Sequence, residues 1–134
     1  MSSLRIFDIA ASAMSAQNTR LNATASNLAN VDSVAASPEQ AYRARVPLFQ
    51  TVMDAAGVAG VRTDGVVDSQ KPPEARYEPG HPMADAEGYI YAPAINTVEE
   101  MANMISASRS YQNAVDVMST SRDLMLATLQ IGRS

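Results

Sequence analysis

Cysteine is absent from the chain of 134 residues, which excludes disulfides, cysteine-ligated metals and thiol nucleophiles. Tryptophan is absent too, and two Phe and five Tyr make up the aromatic complement. Hydrophobic residues reach 46%, but many are Ala and Met. That is thin material for a dense core, because aromatics and large aliphatics bury the most area. Basic runs are lacking: 10 Lys and Arg stand against 14 Asp and Glu, a net charge of −4 and a pI near 4.8. This balance disfavours nucleic acid and an anionic membrane surface. No apolar run is long enough to span a bilayer. The opening "MSSLRIFDIAASAMSAQ" is interrupted by Asp8 and lacks the apolar centre of a signal peptide. A cytosolic protein fits, as does export by a route without a cleaved signal.

The next scarcity is local. Residues 4–30 and 96–131 contain neither Gly nor Pro, while all seven prolines and five of the six glycines fall in 31–95. Three segments follow: an N-terminal helix (1–30), a β-rich and loop insert (31–95) and a C-terminal helix (96–134). In the first, Phe7, Ala11, Met14, Asn18, Leu21, Ala25 and Leu28 recur at heptad spacing, an a/d seam in which Asn18 is a register-setting polar residue. Asn27 and Asn30 in "NLANVDS" suit a helix end, where Asn is favoured over the interior.

In the last segment, Asn96-Thr97-Val98-Glu99 predicts an N-cap followed by Glu at N3. Gly132 predicts the stop. Met104, Tyr111, Met118 and Met125 fall seven apart, and Met101, Val115 and Leu129 supply part of a partner row broken by Ser108 and Arg122. Val117, Leu124 and Ile131 widen the stripe. One antiparallel pair cannot bury two such broad stripes, so the remainder is expected to pack on other subunits, with termini weakly ordered in the monomer. The expected fold is mainly α with a small β-rich insert, its two long terminal helices pairing as a coiled-coil-like unit.

Within the insert, Tyr42–Phe49, Val58–Val67, Ala75–Tyr77 and Tyr89–Tyr91 lean towards strand. Asp64-Gly65 reads as a hairpin turn or as part of one bent strand.

Polar chemistry is sparse. His81, the single histidine, sits in "PGHP" near Asp85 and Glu87. A lone His with loop carboxylates is no ligand set of usual spacing, and no nucleophile elbow or phosphate loop accompanies it. A packed turn is the better reading, with no catalytic residue, metal or cofactor expected. The Met row reads first as core and second as an adaptable groove for a partner helix. Arg109, Arg122, Asp116 and Asp123 read as inter-subunit pairs or as a solvated face, where a pair contributes about 0–1 kcal/mol.

"SAMSAQNTRLNATASNLANVDS", Ser12–Ser33, resembles the N-terminal signature of flagellar axial proteins, carried by Ala13, Met14, Gln17, Leu21, Ala25 and Asn27–Asn30. "AYRARVPLFQ", Ala41–Gln50, stands where distal-rod and hook relatives carry a Thr-Pro-Gly-Tyr turn. "YEPGHPMADAEGYI" and Asn96–Gly132 resemble a loop and the C-terminal helix of the proximal-rod branch. The chain thus resembles the rod proteins of the bacterial flagellar basal body. It departs from them where Ala114 replaces an Asn three residues past Tyr111. The family also runs Gly60–Asp68 as one strand.

The resemblance implies a structural subunit of the proximal rod, which transmits motor torque to the distal rod and hook. Such a subunit is exported unfolded by the flagellar type III apparatus and assembles in the periplasm, its terminal helices forming the inner layers of a helical tube. Implied partners are other copies of itself, sister rod proteins and the ring-to-rod adaptor, with no small-molecule substrate. A soluble helical adaptor of the export or assembly pathway is the alternative.

Overall fold

Two long helices and two small antiparallel ribbons make up the fold in the computed structural model, which describes residues 2–55 and 57–133. Met1 and Ser134, the outermost residues of the two helical segments read above, and Ala56 in the insert lie outside the described residues. The order is α1 (Ser2–Ala29), β1 (Arg45–Met53), β2 (Ala59–Asp68), β3 (Glu74–Tyr77), β4 (Tyr89–Ala92) and α2 (Thr97–Ile131).

Both helices end where their sequences say. The Asn96 side chain accepts from the backbone N–H groups of Val98 and Glu99 at 3.0 and 3.1 Å, satisfying donors that the first turn leaves open. Gly132 caps α2 with φ −71°, and its N–H donates to the Thr128 carbonyl. At the end of α1, the Asn30 side chain and backbone N–H both donate to the Ser26 carbonyl.

The helices are antiparallel. Arg20 donates to the Asn103 side chain and Asn27 to Glu100, so α1 advances as α2 retreats. Of the other elements described, α2 packs on α1 alone. The row it buries there is Ala107, Ala114 and Ser121, seven apart, with Met104, Tyr111, Met118 and Met125 half-buried between them. On α1 the buried or half-buried positions Ala10, Ala13, Gln17, Arg20, Thr24 and Asn27 fall in steps of three and four, and Ala16 and Ala23 are buried beside them.

This phase corrects the seam expected within α1. Ala11, Asn18 and Ala25 are exposed, so Asn18 sets no register between these helices. Its neighbour Gln17 faces inward, with its Oε1 buried and unpartnered. Small side chains explain the choice of phase. Ala and Ser let backbones approach, and the Met and Tyr rows fill the margins. Ala114, where the resembled family carries Asn, is one of these close-approach positions.

β1 and β2 form a hairpin, closed by Asp54 N–H to the Val58 carbonyl and by the Asp54 carboxylate accepting from Val58 N–H. Asp64-Gly65 is therefore no hairpin turn. It lies inside β2, where the register slips between Leu48↔Gly65 and Phe49↔Thr63. Asp64 is the extra residue of a bulge, and Gly65 takes φ +128°, a value that favours glycine. β3 and β4 pair from Glu74↔Ala92 to Tyr77↔Tyr89, and Ala35 adds a bridge on Tyr91.

The core is small: Ile90 is the sole large side chain fully buried among the described residues. The accessible surface is 8984 Å², against roughly 6,800 Å² expected of a compact monomer of this mass.

Candidate functional site

The start of β1 is fastened to both helices through Asn27. Asn27 is 3% exposed, and its carboxamide uses every donor and acceptor it has. Its Oδ1 accepts from Arg45 N–H at 2.7 Å and from the Tyr42 hydroxyl at 3.1 Å. Its Nδ2 donates to the Arg45 carbonyl at 3.1 Å and to Glu100 Oε2 at 3.2 Å. The amide thus pairs with both backbone groups of Arg45 as a neighbouring strand would, while also reaching α2. Tyr42 shares a second bond, 2.8 Å, with Ser26, which holds Tyr42 against α1.

A backbone bond settles which edge of β1 faces outward. Ser69 N–H donates to the Ala44 carbonyl, so Arg45 turns its own backbone groups away from β2, and by alternation Pro47 does likewise. One outward position is occupied by Asn27, and the next has no N–H to offer. Both devices blunt an exposed strand edge. Further along, Val61 N–H donates to Ser12 Oγ at 3.3 Å, and a Cβ on Gly60 would lie 3.3 Å from the same oxygen. The β1–β2 ribbon therefore lies along α1, tied near both ends.

Of the residues expected at subunit contacts, Phe7, Met14, Leu21, Leu28, Met104, Tyr111, Met118 and Met125 are half-buried, and Asn30 caps its own helix. Met101, Val115 and Leu129 are 53%, 38% and 64% exposed. They form a second row on α2 that α1 does not cover, flanked by exposed Val98, Ile105, Leu124 and Leu126. Leu4, Ile6 and Ile9 are exposed on α1. Sequence reasoning missed Ala107, Ala114 and Ser121 as pairing residues, because small side chains carry little hydrophobic signal. It also missed Tyr42 and Arg45 as partners of Asn27; only folding brings them together.

Arg122 pairs with its neighbour Asp123 at 3.1 Å, both exposed, as a solvated face would. In the 78–90 loop, His81 Nδ1 accepts from the backbone N–H of Met83 at 3.0 Å, a turn contact. Asp85 organises this loop. Its carboxylate accepts from the N–H groups of Tyr89 and Glu87 and from the Tyr91 hydroxyl. The Tyr89 bond above all holds Asp85 below the ordinary carboxylate value, and the same carboxylate raises the Tyr91 phenol. No cluster of His, Asp and Glu able to hold a metal occurs among the described residues, and no described helix is long and apolar enough to cross a membrane. An open groove of about 820 Å³ runs between α1, the start of β1 and the start of α2.

Comparison with known proteins matches this layout at both helices. The family described as "Flagella basal body rod protein" matches residues 7–35. "Flagellar basal body rod FlgEFG protein C-terminal" matches 86–131. The chain is 49% identical to the flagellar basal-body rod protein FlgC of Escherichia coli O157:H7 over 134 residues, covering 99% of this chain and 100% of the relative. FlgC of Salmonella typhimurium is 49% identical over 136 residues, with the same coverage. FlgC of Buchnera aphidicola from Acyrthosiphon pisum is 40% identical over 134 residues, covering 98% of each.

Proposed function

This chain belongs to the FlgC family of flagellar basal-body rod proteins, and on that premise we propose how it builds its part of the rod. It is a structural subunit of the basal body, in the proximal rod. The observation that carries the packing is the second apolar row of α2. Met101, Val115 and Leu129 are exposed in a chain whose surface exceeds that of a compact monomer by about a third. Such a row calls for a partner, and a helical tube of like subunits supplies one. α1 and α2 pair as a coiled-coil-like unit through their small-residue rows, and the outer row of α2 meets neighbouring helices. The Asn27 clamp holds the insert at a set angle to the pair, as torque transmission needs. Met104, Tyr111, Met118 and Met125 sit at the margin between the two contacts, where Met adapts to non-equivalent neighbours.

The neighbours are further copies, sister rod proteins and the ring-to-rod adaptor, reached by export through the flagellar type III apparatus into the periplasm without a cleaved signal. The test substitutes Met101→Lys and Leu129→Lys. The expected outcome is continued secretion of the chain with loss of swimming and of the chain from purified basal bodies. Normal rods in both variants would remove the outer row from the assembly.

A further inference from the structure

Among the described residues, every strand edge but one carries a device that discourages pairing with another chain. The start of β1 is held by Asn27 at Arg45 and has Pro47 at the next outward position. β2 bulges at Asp64, carries Asp64 and Asp68, and gives the Val61 N–H to Ser12. β3 has four residues, two of them the charged Glu74 and Arg76, and follows Pro72-Pro73. β4 is covered by Ala35 at Tyr91.

The exception is the distal half of β1, Phe49–Met53. Asp54 N–H donates to the Val58 carbonyl. Asp54 therefore faces β2, and by alternation Met53, Thr51 and Phe49 turn their N–H and carbonyl groups away from it. Val61 agrees, since it pairs with Thr51 and its N–H points outward to Ser12. α1 meets the edge of β1 at Arg45 and the edge of β2 at Val61. The helix thus passes beneath the ribbon, and the distal edge of β1 faces away from it. Phe49, Thr51 and Met53 are exposed, and the run from Phe49 to Met53 contains no charge, Gly or Pro.

We propose that this edge pairs antiparallel with the same edge of a second copy, about a twofold axis at Thr51. Each Thr51 then faces the other, Phe49 faces Met53, and Gln50 faces Val52. Cross-strand Thr pairs and sulfur–aromatic pairs are favourable, and no like charges meet. The outward groups of Phe49, Thr51 and Met53 all find partners. The two ribbons merge into one wider sheet, whereas a two-stranded unit is marginal alone. Beyond Met53 the turn of the second copy comes to lie beside Pro47, where the open groove leaves room for it. The self-match selects the second copy, because the chain's other described edges are blunted. A patch that meets itself closes into a dimer and cannot extend a polar tube. The pair is therefore a resting form of the free chain, which parts before the subunit joins a rod.

Sedimentation of the purified full chain over a range of concentrations tests this. The expected result is a shift from the mass of one chain to that of two as concentration rises, with slowed amide exchange at Phe49, Thr51 and Met53. Thr51→Pro removes an N–H that the chain's own ribbon does not use, and it should leave a monomer at every concentration. Phe49→Lys with Met53→Lys sets like charges opposite each other and should do the same. Met101→Lys, on the outer row of α2, should still dimerise. An unsubstituted chain that stays monomeric overturns the second copy as occupant. Dimers that persist in both edge variants, or that vanish in Met101→Lys, place the contact elsewhere and overturn the edge. Each of these outcomes leaves the rod reading to its own test in basal bodies.

Discussion

At the scale of single residues, Asn27 does the most for its size. An Asn near a helix end is expected to cap it, yet Asn30 performs that task and Asn27 joins three parts of the chain. Asn27→Ala strands the backbone groups of Arg45, and the expected loss is about 1–3 kcal/mol for unsatisfied partners. Asn27→Asp costs more, since both donors are lost and a carboxylate then faces Glu100. Thermal unfolding followed by circular dichroism ranks the two, and a neutral Asn27→Asp would refute the clamp.

Asp85 gives a second residue-scale outcome. Its folded pKa is depressed by the Tyr89, Tyr91 and Glu87 hydrogen bonds. Its stabilising effect is therefore present above the ordinary value of 3.8 and lost as pH falls through the lower folded value. Amide resonances of residues 85–91 should shift in that acid range, and Asp85→Asn should abolish the shift. An unchanged acid transition in Asp85→Asn would assign it to another group.

At the scale of elements, α2 carries two rows, one buried on α1 and one exposed. Ala107 is 0% exposed, and Ala114 lies one heptad on in the same row. Ala114→Leu overpacks that contact, a change that costs about 1–3 kcal/mol, and it should lower the melting midpoint of the purified chain. Met101→Lys, on the outer row, should leave that midpoint within error, since surface substitutions cost about 0.5 kcal/mol or less. Equal effects from the two would mean that the rows are not separate. The ribbon obeys the same logic. β1 and β2 form a two-stranded unit that is marginal alone, and it persists because α1 supports it through Ser12, Asn27 and the close approach of Gly60.

At the scale of the whole molecule, a thin core and many exposed large apolar side chains support the proposal that neighbours complete the subunit's stability. The helices of 28 and 35 residues meet largely through Ala and Ser, which bury little area to offset the entropy of ordering. Far-ultraviolet circular dichroism of the dilute chain should therefore show less helix than these two elements contain, rising with concentration. Full helicity at high dilution would show that the pair stands alone.

The amino-acid sequence by itself determined the mainly helical class with a β insert, the Asn96 cap, the four strand-forming runs and the likeness to rod proteins. Each rests on local composition or on motifs that are read in a line. Tertiary structure decided three things. It chose the phase of the helix pair, because a seven-residue repeat gives spacing while two adjacent rows of α2 satisfy it equally. Close approach then favoured Ala107, Ala114 and Ser121 over the larger Met101, Val115 and Leu129. It made the bent-strand reading of Asp64-Gly65 the right one, because the bulge exists in the pairing with Leu48 and Phe49. And it gave Asn27 its role, since the groups it binds lie 15, 18 and 73 residues away in the chain and meet only when the helices and the ribbon have packed.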